Sequence, residues 1–224
     1  MGRHGFIAHH GRRFLLSGRL KHTALVGVGA NFSCFAGVKP EPEKLAALVS
    51  IAKLLKEEFH LPVRYISGGN SSSLPMLYSG GLVSGINHLR IGEGVLLGRE
   101  TLEGRPLPGL FQDAFIVEAE VLQSQWKPGR ADGEIGRDAF GRKPEIPEVG
   151  EGFRLLLNLG QQDTPLSGLT PLEPGVQFLG GSSDYLVLAS EKKIRVGSIL
   201  RFTPNYWGLL ALMTSPYVRK EHLY

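Results

Sequence analysis

Apolar residues recur at helical spacing in one stretch of the chain and at strand spacing through most of the rest. Leu45, Leu48, Val49, Ala52, Leu55 and Phe59 fall three or four apart, while Lys44, Lys53, Lys56 and Glu57 lie between them. That period draws one apolar stripe along a helix and leaves the charges on a solvated face. Pro40-Glu41-Pro42-Glu43 opens the helix, since proline fits a first turn and acids complement the helix N-terminus. A buried-type strand over 23–28 precedes it. A strand over 62–67, a helix over about 72–79 and a strand over 86–91 follow, which completes a βαβ pattern. Beyond Gly104, glycine and proline become frequent. Short strands Ala114–Leu122, Phe153–Leu159, Val176–Leu179, Tyr185–Leu188 and Ser198–Phe202 succeed one another with turns between them, as in an all-β domain. The predicted organisation is a basic, disordered arm over 1–22, an α/β unit over 23–108 and a β-domain over 109–224.

Two of the predicted strands end in glycine turns. Val63-Arg64-Tyr65-Ile66-Ser67 runs into Gly68-Gly69-Asn70 and then three serines, and Ile86-Asn87-His88-Leu89-Arg90-Ile91 runs into Gly92-Glu93-Gly94. Glycine lets the backbone bend, and hydroxyls with free N–H groups at a helix start can hold a phosphate. A glycine-serine turn alone is more often just a turn, and an arginine at a strand end more often a surface residue. Two such ends in succession, at βα spacing, point to one shared ligand at the C-terminal end of a parallel sheet or barrel.

Composition narrows the alternatives. The 224 residues, 42% hydrophobic, suffice for one large domain or a smaller pair, and no apolar run is long enough to span a bilayer. Cys34 is the single cysteine, which excludes an internal disulfide framework and suits a reducing cytoplasm. It reads as a small buried residue rather than a nucleophile. The formal charge of +4 is a tail effect: Arg3, Arg12, Arg13, Arg19 and Lys21 fall within 1–22 with no acid, leaving 20 basic residues against all 21 acids in the remainder. A neutral body with a short arm argues against a nucleic-acid partner. Four of the seven histidines also lie in 1–22, yet the adjacent His9 and His10 point apart and no carboxylate completes a metal set. Phe14-Leu15-Leu16 is too brief for the core of a secretory leader. The arm is either disordered or a consequence of where translation is taken to start.

Six segments together carry a resemblance: GVGANFSCFAGVKP (27–40), YISGGNSSS (65–73), INHLRIGEGVLLGRE (86–100), GEIGRDAFGRKP (133–144), LGGSSDYL (179–186) and YWGLLALMTSPYV (206–218). In this order and spacing the sequence resembles the alanine/ornithine racemase-like family of pyridoxal 5'-phosphate (PLP) enzymes, from about Ala24 to the end. The resemblance implies an α/β plus β fold, with the last three βα units of a PLP-binding (β/α)8 barrel followed by the β-domain. It implies a small amino acid as substrate, a homodimer, and Cα proton abstraction and return.

By that resemblance Arg90 faces the pyridine nitrogen, and a guanidinium can only donate there. Ser71 and Ser72, next to Asn70, hold the phosphate together with the N–H groups of Gly92 and Glu93. Asn31 lies beside the ring or merely satisfies a turn. Tyr206 contacts the phosphate or is a rim aromatic of the β-domain. Arg137 of Ile135-Gly136-Arg137-Asp138 stands where the family has a catalytic tyrosine, which leaves Asp138 as the nearest proton carrier, or else a turn aspartate. Ser183-Asp184 resembles a pair lining the substrate mouth, though Asp184 also suits a strand cap.

The family's cofactor-bearing lysine lies on a barrel strand upstream of everything matched, and Lys21, Lys39, Lys53 and Lys143 stand in no such context. The expected protein is therefore a truncated or split amino-acid racemase completed by a missing N-terminal barrel half. The alternative is a non-catalytic PLP or phosphate-ligand binding protein derived from such an enzyme. A basic-arm interaction protein is a third possibility.

Overall fold

A computed structural model of the chain describes residues 22, 25–129, 133–138, 140–141, 143, 147 and 149–222. Apart from His22, the predicted arm lies outside the described residues, as do the first two positions of the 23–28 strand. The chain divides into two compact units, Met1–Gly92 with Glu100–Arg105, and Glu93–Arg99 with Pro106–Tyr224.

In the first unit β1 (Gly27–Gly29) pairs in parallel with β2 (Tyr65–Ser67), and α1 (Pro42–Glu57) crosses between them. Leu45, Leu48 and Ala52 of the predicted stripe are buried, whereas Phe59 falls beyond the helix and is exposed. Leu48 and Ala52 join Val63 and Ile66 in one apolar cluster that Val28, Val49 and Leu55 pack against. Alternation along the strands thus puts Val28 and Ile66 toward α1 and leaves Tyr65 and Ser67 on the other face. A 3-10 turn (Ser71–Ser73) then leads into α2 (Leu74–Tyr78), in place of the single helix expected over 72–79.

The strand expected over 86–91 is corrected to an isolated parallel bridge between Ser67 and His88. Asn87 is the reason. Its Oδ1 accepts from Ile66 N at 2.8 Å and its Nδ2 donates to Arg64 O at 2.8 Å, so a side chain replaces ladder bonds that a regular strand would make with backbone. Backbone bonds still tie the two segments together on either side: Asn87 N to Ile66 O, Gly68 N to His88 O and Arg90 N to Gly69 O.

The buried Glu100 organises the turn at 100–105. Its carboxylate accepts from the N–H groups of Leu102 at 2.6 Å, Glu103 at 3.1 Å and Arg105 at 2.8 Å. Glu100→Gln puts an NH2 where one oxygen accepts, and is expected to cost about 2 kcal/mol of stability, from the worth of hydrogen bonds to a charged group. A urea unfolding midpoint unchanged from wild type would contradict that. Glu103, in the same turn, has its carboxyl held below the usual carboxylate range, because Lys39 Nζ donates to it at 3.1 Å and the Arg105 guanidinium is close by. A lowered folded-state pKa contributes stability above the unfolded pKa and loses it as pH falls through the folded value. Lys39→Met is expected to move the Glu103 titration back up, read by carboxyl-resolved NMR.

The second unit contains one antiparallel sheet in the order β5-β8-β3-β4-β7-β6. Its strands are β3 (Val117–Lys127), β4 (Gly152–Leu157), β5 (Leu169–Pro171), β6 (Val176–Gly181), β7 (Leu186–Ser190) and β8 (Ile199–Pro204). Inward alternation places Ala119 and Val121, Leu155 and Leu157, Leu186 and Leu188, and Leu200 and Phe202 in one buried cluster. The register sets Leu157 opposite Leu186 and Leu155 opposite Leu188. Each such buried side chain contributes roughly 1.5–3 kcal/mol. The all-β expectation for 109–224 needs correction, because α4 (Tyr206–Thr214) lies within that range; β5 is a strand that alternation did not predict, and α3 (Glu93–Leu97) also belongs to this unit. The signal for α4 is local. Asn205 Oδ1 accepts from Gly208 N at 2.9 Å, an N-cap ahead of an apolar run.

Candidate functional site

The site of the first unit is built on the C-terminal ends of β1 and β2 and on the bridge at His88. Arg90 is its centre. Nη1 donates to Ser67 Oγ at 2.5 Å, and Nη2 donates to Ala30 O at 2.7 Å, with Asn31 Oδ1 at 3.5 Å. One guanidinium therefore ties its own segment to the ends of β1 and β2. Gly29 admits it, because a Cβ there would lie 3.1 Å from Nη1. Of the five guanidinium N–H groups, the Nε–H and the second on Nη1 take no partner among the described residues.

Asn70 joins the same cluster. Its Nδ2 donates to Asn31 Oδ1 at 3.1 Å and to Phe32 O at 2.8 Å, while its Oδ1 accepts from Ser72 N at 2.9 Å and so caps the 3-10 turn. Asn31 is thereby fixed with its oxygen toward two donors, Asn70 and Arg90. The turn is tight because Gly69 has φ of 121°, and a Cβ on it would strike Ser73 Oγ and the Phe32 ring. Ser73 Oγ in turn donates to Gly68 O at 2.8 Å. Ser71 and Ser72 are both buried, and Ser72 Oγ has no hydrogen-bond partner among the described residues. A buried hydroxyl left unpaired is costly until an acceptor reaches it. Gly92 has open space around it: nothing lies within 4 Å of a Cβ built there.

The structure thus brings Asn31, Asn70, Ser71, Ser72, Arg90 and Gly92 into the first unit, with Asn31, Asn70 and Arg90 in direct contact. Ser67 and His88, which sequence reasoning did not select, are in the same network through Ser67 Oγ. The usable signal is period two: Tyr65 and Ser67, like His88 and Arg90, are two positions apart and share a face.

Five candidates fall in the second unit. Glu93 opens α3. Asp138 Oδ1 accepts from Phe140 N at 2.9 Å and Asp138 O from Gly141 N at 3.0 Å, the bonds of an ordinary aspartate turn. Ser183 Oγ donates to Asp184 Oδ2 at 2.6 Å, and Gln162 Nε2 lies 3.4 Å from Asp184 Oδ1. Tyr206, half exposed, is the first residue of α4.

The chain is 40% identical over 208 residues to the ornithine racemase of Acetoanaerobium sticklandii, across 92% of this chain and 59% of that protein. It is 39% identical over 200 residues to the lysine racemase of Thermotoga maritima, across 88% of this chain and 56% of the relative. The chain is thus similar in sequence to ornithine and lysine racemases over nearly its whole length. It spans less than two thirds of the length of these relatives. No family model matches it. Among solved structures, the alanine racemase from E. faecalis superposes with a TM-score of 0.53 at 17% identity, over 92% of this chain and 54% of that one. The alanine racemase from Streptomyces coelicolor A3(2) gives 0.53 at 16% identity, over 85% and 52%. At such identity these neighbours speak for the fold alone.

Proposed function

We propose that this chain is part of a PLP-dependent amino-acid racemase whose substrate is a small or basic amino acid of the alanine, ornithine or lysine type. The observation that carries the reading is Arg90, anchored to two other segments, with donors left over and with Asn31 lying between it and Asn70. The residues present fit the cofactor: a donor-only cation for a ring nitrogen, a buried unpaired hydroxyl at Ser72 beside Ser71, and the open Gly92 for a phosphate. Bound PLP would supply an electron sink for the carbanion formed when the Cα proton leaves. Arg90 would orient the ring and, by donating rather than accepting, keep its nitrogen unprotonated. That restrains the sink and favours return of a proton over deeper chemistry.

In this reading residues 23–108 form part of a PLP-binding barrel and 109–224 the β-domain, while Tyr206, Ser183, Asp184 and Asp138 serve phosphate, substrate mouth and proton transfer in a homodimer. The lysine that carries the cofactor comes from a barrel segment outside the matched motifs. Within the first unit Lys39 is paired with Glu103, Lys44 with Glu41, and Lys53 lies near Glu57. Those pairings are what favour the second reading, a PLP-binding protein without catalysis.

Titration of the purified protein with PLP, followed by absorbance, is the first test, and saturable binding is expected. Borohydride reduction and intact-mass measurement should find no covalent adduct on this chain alone. Exchange of the Cα hydrogen of ornithine, lysine and alanine in D2O, followed by NMR, separates the two readings. If exchange appears when the polypeptide encoded immediately upstream is co-expressed, the racemase reading stands. PLP binding that never supports exchange would leave the binding protein.

A further inference from the structure

Ser67 Oγ has two close partners of opposite need. Arg90 Nη1 donates to it at 2.5 Å, so the serine oxygen is an acceptor in that bond. His88 Nδ1 lies 3.0 Å away on the neighbouring segment. Ser67 is buried, and no other acceptor for its hydroxyl hydrogen lies within reach among the described residues. If His88 Nδ1 also donated, a buried O–H would be left unpaired, at the full desolvation cost of that group. The lower-energy arrangement is a relay in one direction: Arg90 donates to Ser67, and Ser67 donates to His88. His88 is then a neutral imidazole with its proton on Nε2.

The backbone enforces the meeting. Ser67 and His88 are partners of the isolated bridge, and Gly68 N donates to His88 O at 2.9 Å. The Tyr65 ring lies against His88, with centroids 5.6 Å apart and planes tilted by 60°. Arg90 reaches His88 through Ser67, and the Arg64 guanidinium lies 5.7 Å from the centre of the Tyr65 ring.

We propose that His88, acting through Ser67, is a positioning residue for Arg90: by accepting the serine hydroxyl it turns the Ser67 lone pair toward Nη1 and fixes which guanidinium N–H groups remain for a ligand. The proposal rests on the PLP-site reading of Arg90, but its first readout does not. With the hydroxyl oriented, Nη1 is held on one side and Nη2 on Ala30 O, so the plane of the guanidinium is set by two fixed acceptors on different segments. Without His88 the hydroxyl rotates freely and can present its hydrogen to the arginine, which opposes the bond.

Nitrogen-15 NMR of the His88 ring in the whole protein is the direct test. An unprotonated Nδ1 and a protonated Nε2 are expected in the wild type. Ser67→Ala should let both tautomers populate, and Ser67→Thr should restore the single one. PLP affinity is the second readout: His88→Leu should weaken it about tenfold, while His88→Asn, whose Oδ1 can stand in for Nδ1 as acceptor, should stay within about threefold of wild type. His88 is exposed, so its variants should fold, and circular dichroism checks this. A proton on Nδ1 in the wild type, or a His88 ring indifferent to Ser67→Ala, would overturn the proposal. So would equal PLP affinity for the leucine and asparagine variants. Absence of PLP binding in wild-type protein would sink the cofactor reading instead, with the tautomer result intact.

Discussion

Arg90→Ala is expected to raise the dissociation constant for PLP about a hundredfold, close to 3 kcal/mol at tenfold per 1.4 kcal/mol. The figure follows from what the guanidinium does. It ties Ser67, Ala30 and Asn31 together, and the N–H groups left over are the ones a ring nitrogen would receive. One hydrogen bond involving a charged group is worth about 1.5–3 kcal/mol, and the variant also loses the anchor that shapes the cradle. Arg90→Lys is expected to behave much more like alanine than like arginine, because a single ammonium cannot reach Ser67 Oγ, Ala30 O and a ligand in the fork geometry that arginine provides. Folding should suffer far less than binding, since the arginine is exposed and removing it creates no cavity. Parallel PLP titrations and urea melts separate the two effects. Retention of wild-type PLP affinity in Arg90→Ala would remove the central support for the cofactor site.

Gly208→Ala should destabilise the second unit by about 3 kcal/mol, the opposite sign to what helix propensity alone predicts. Gly208 lies in the first turn of α4, where alanine is intrinsically better by roughly 1 kcal/mol. The surroundings decide against it. A Cβ at Gly208 would overlap the carbonyl oxygen of Gly168, and a Cβ at Gly168 would come within 2.7 Å of the Gly208 Cα. Both sides of that contact are backbone. Neither can swing away as a side chain would, and Gly168 O is held by Asn205 N at 2.9 Å while Asn205 Nδ2 grips Ser167 O at 2.7 Å. Relief must come from moving α4 off the turn at 166–168, which loosens the seats of Leu209 and Leu212. Forced insertion into such a contact typically costs 1–3 kcal/mol, occasionally more. A urea midpoint at or above wild type would show that the helix can shift at no cost.

Some elements were readable before any coordinates. The stripe from Leu45 to Leu55 identified α1, since a 3.6-residue period exposes one face only when the chain is helical, and the buried Leu45, Leu48 and Ala52 follow from it. The strands around Leu155, Leu186 and Phe202 were visible for the equivalent reason in a period of two. The strand at 86–91 was not resolved as a bridge, because nothing in the local pattern says that Asn87 will spend its side chain on Ile66 N and Arg64 O. Helix α4 is absent from the expected all-β domain because the run from Tyr206 to Thr214 is apolar almost throughout, so no helical stripe stands out in it. Arg90, Asn31 and Asn70 are each legible individually, but their contacts join residues up to 59 positions apart.

The sequence by itself determined most of the kinds of elements and the resemblance to racemases, because periodicity and turn chemistry act over a few neighbouring residues and several motifs in fixed order are rarely shared by chance. Only the tertiary structure decided that Ser67 sits between Arg90 and His88, that Asn31 faces Asn70, and that two glycines meet at α4. Those facts depend on strand register and on the crossing of distant backbones. One residue of slip would turn Ser67 and His88 to opposite faces, and no local stretch of sequence records which register wins.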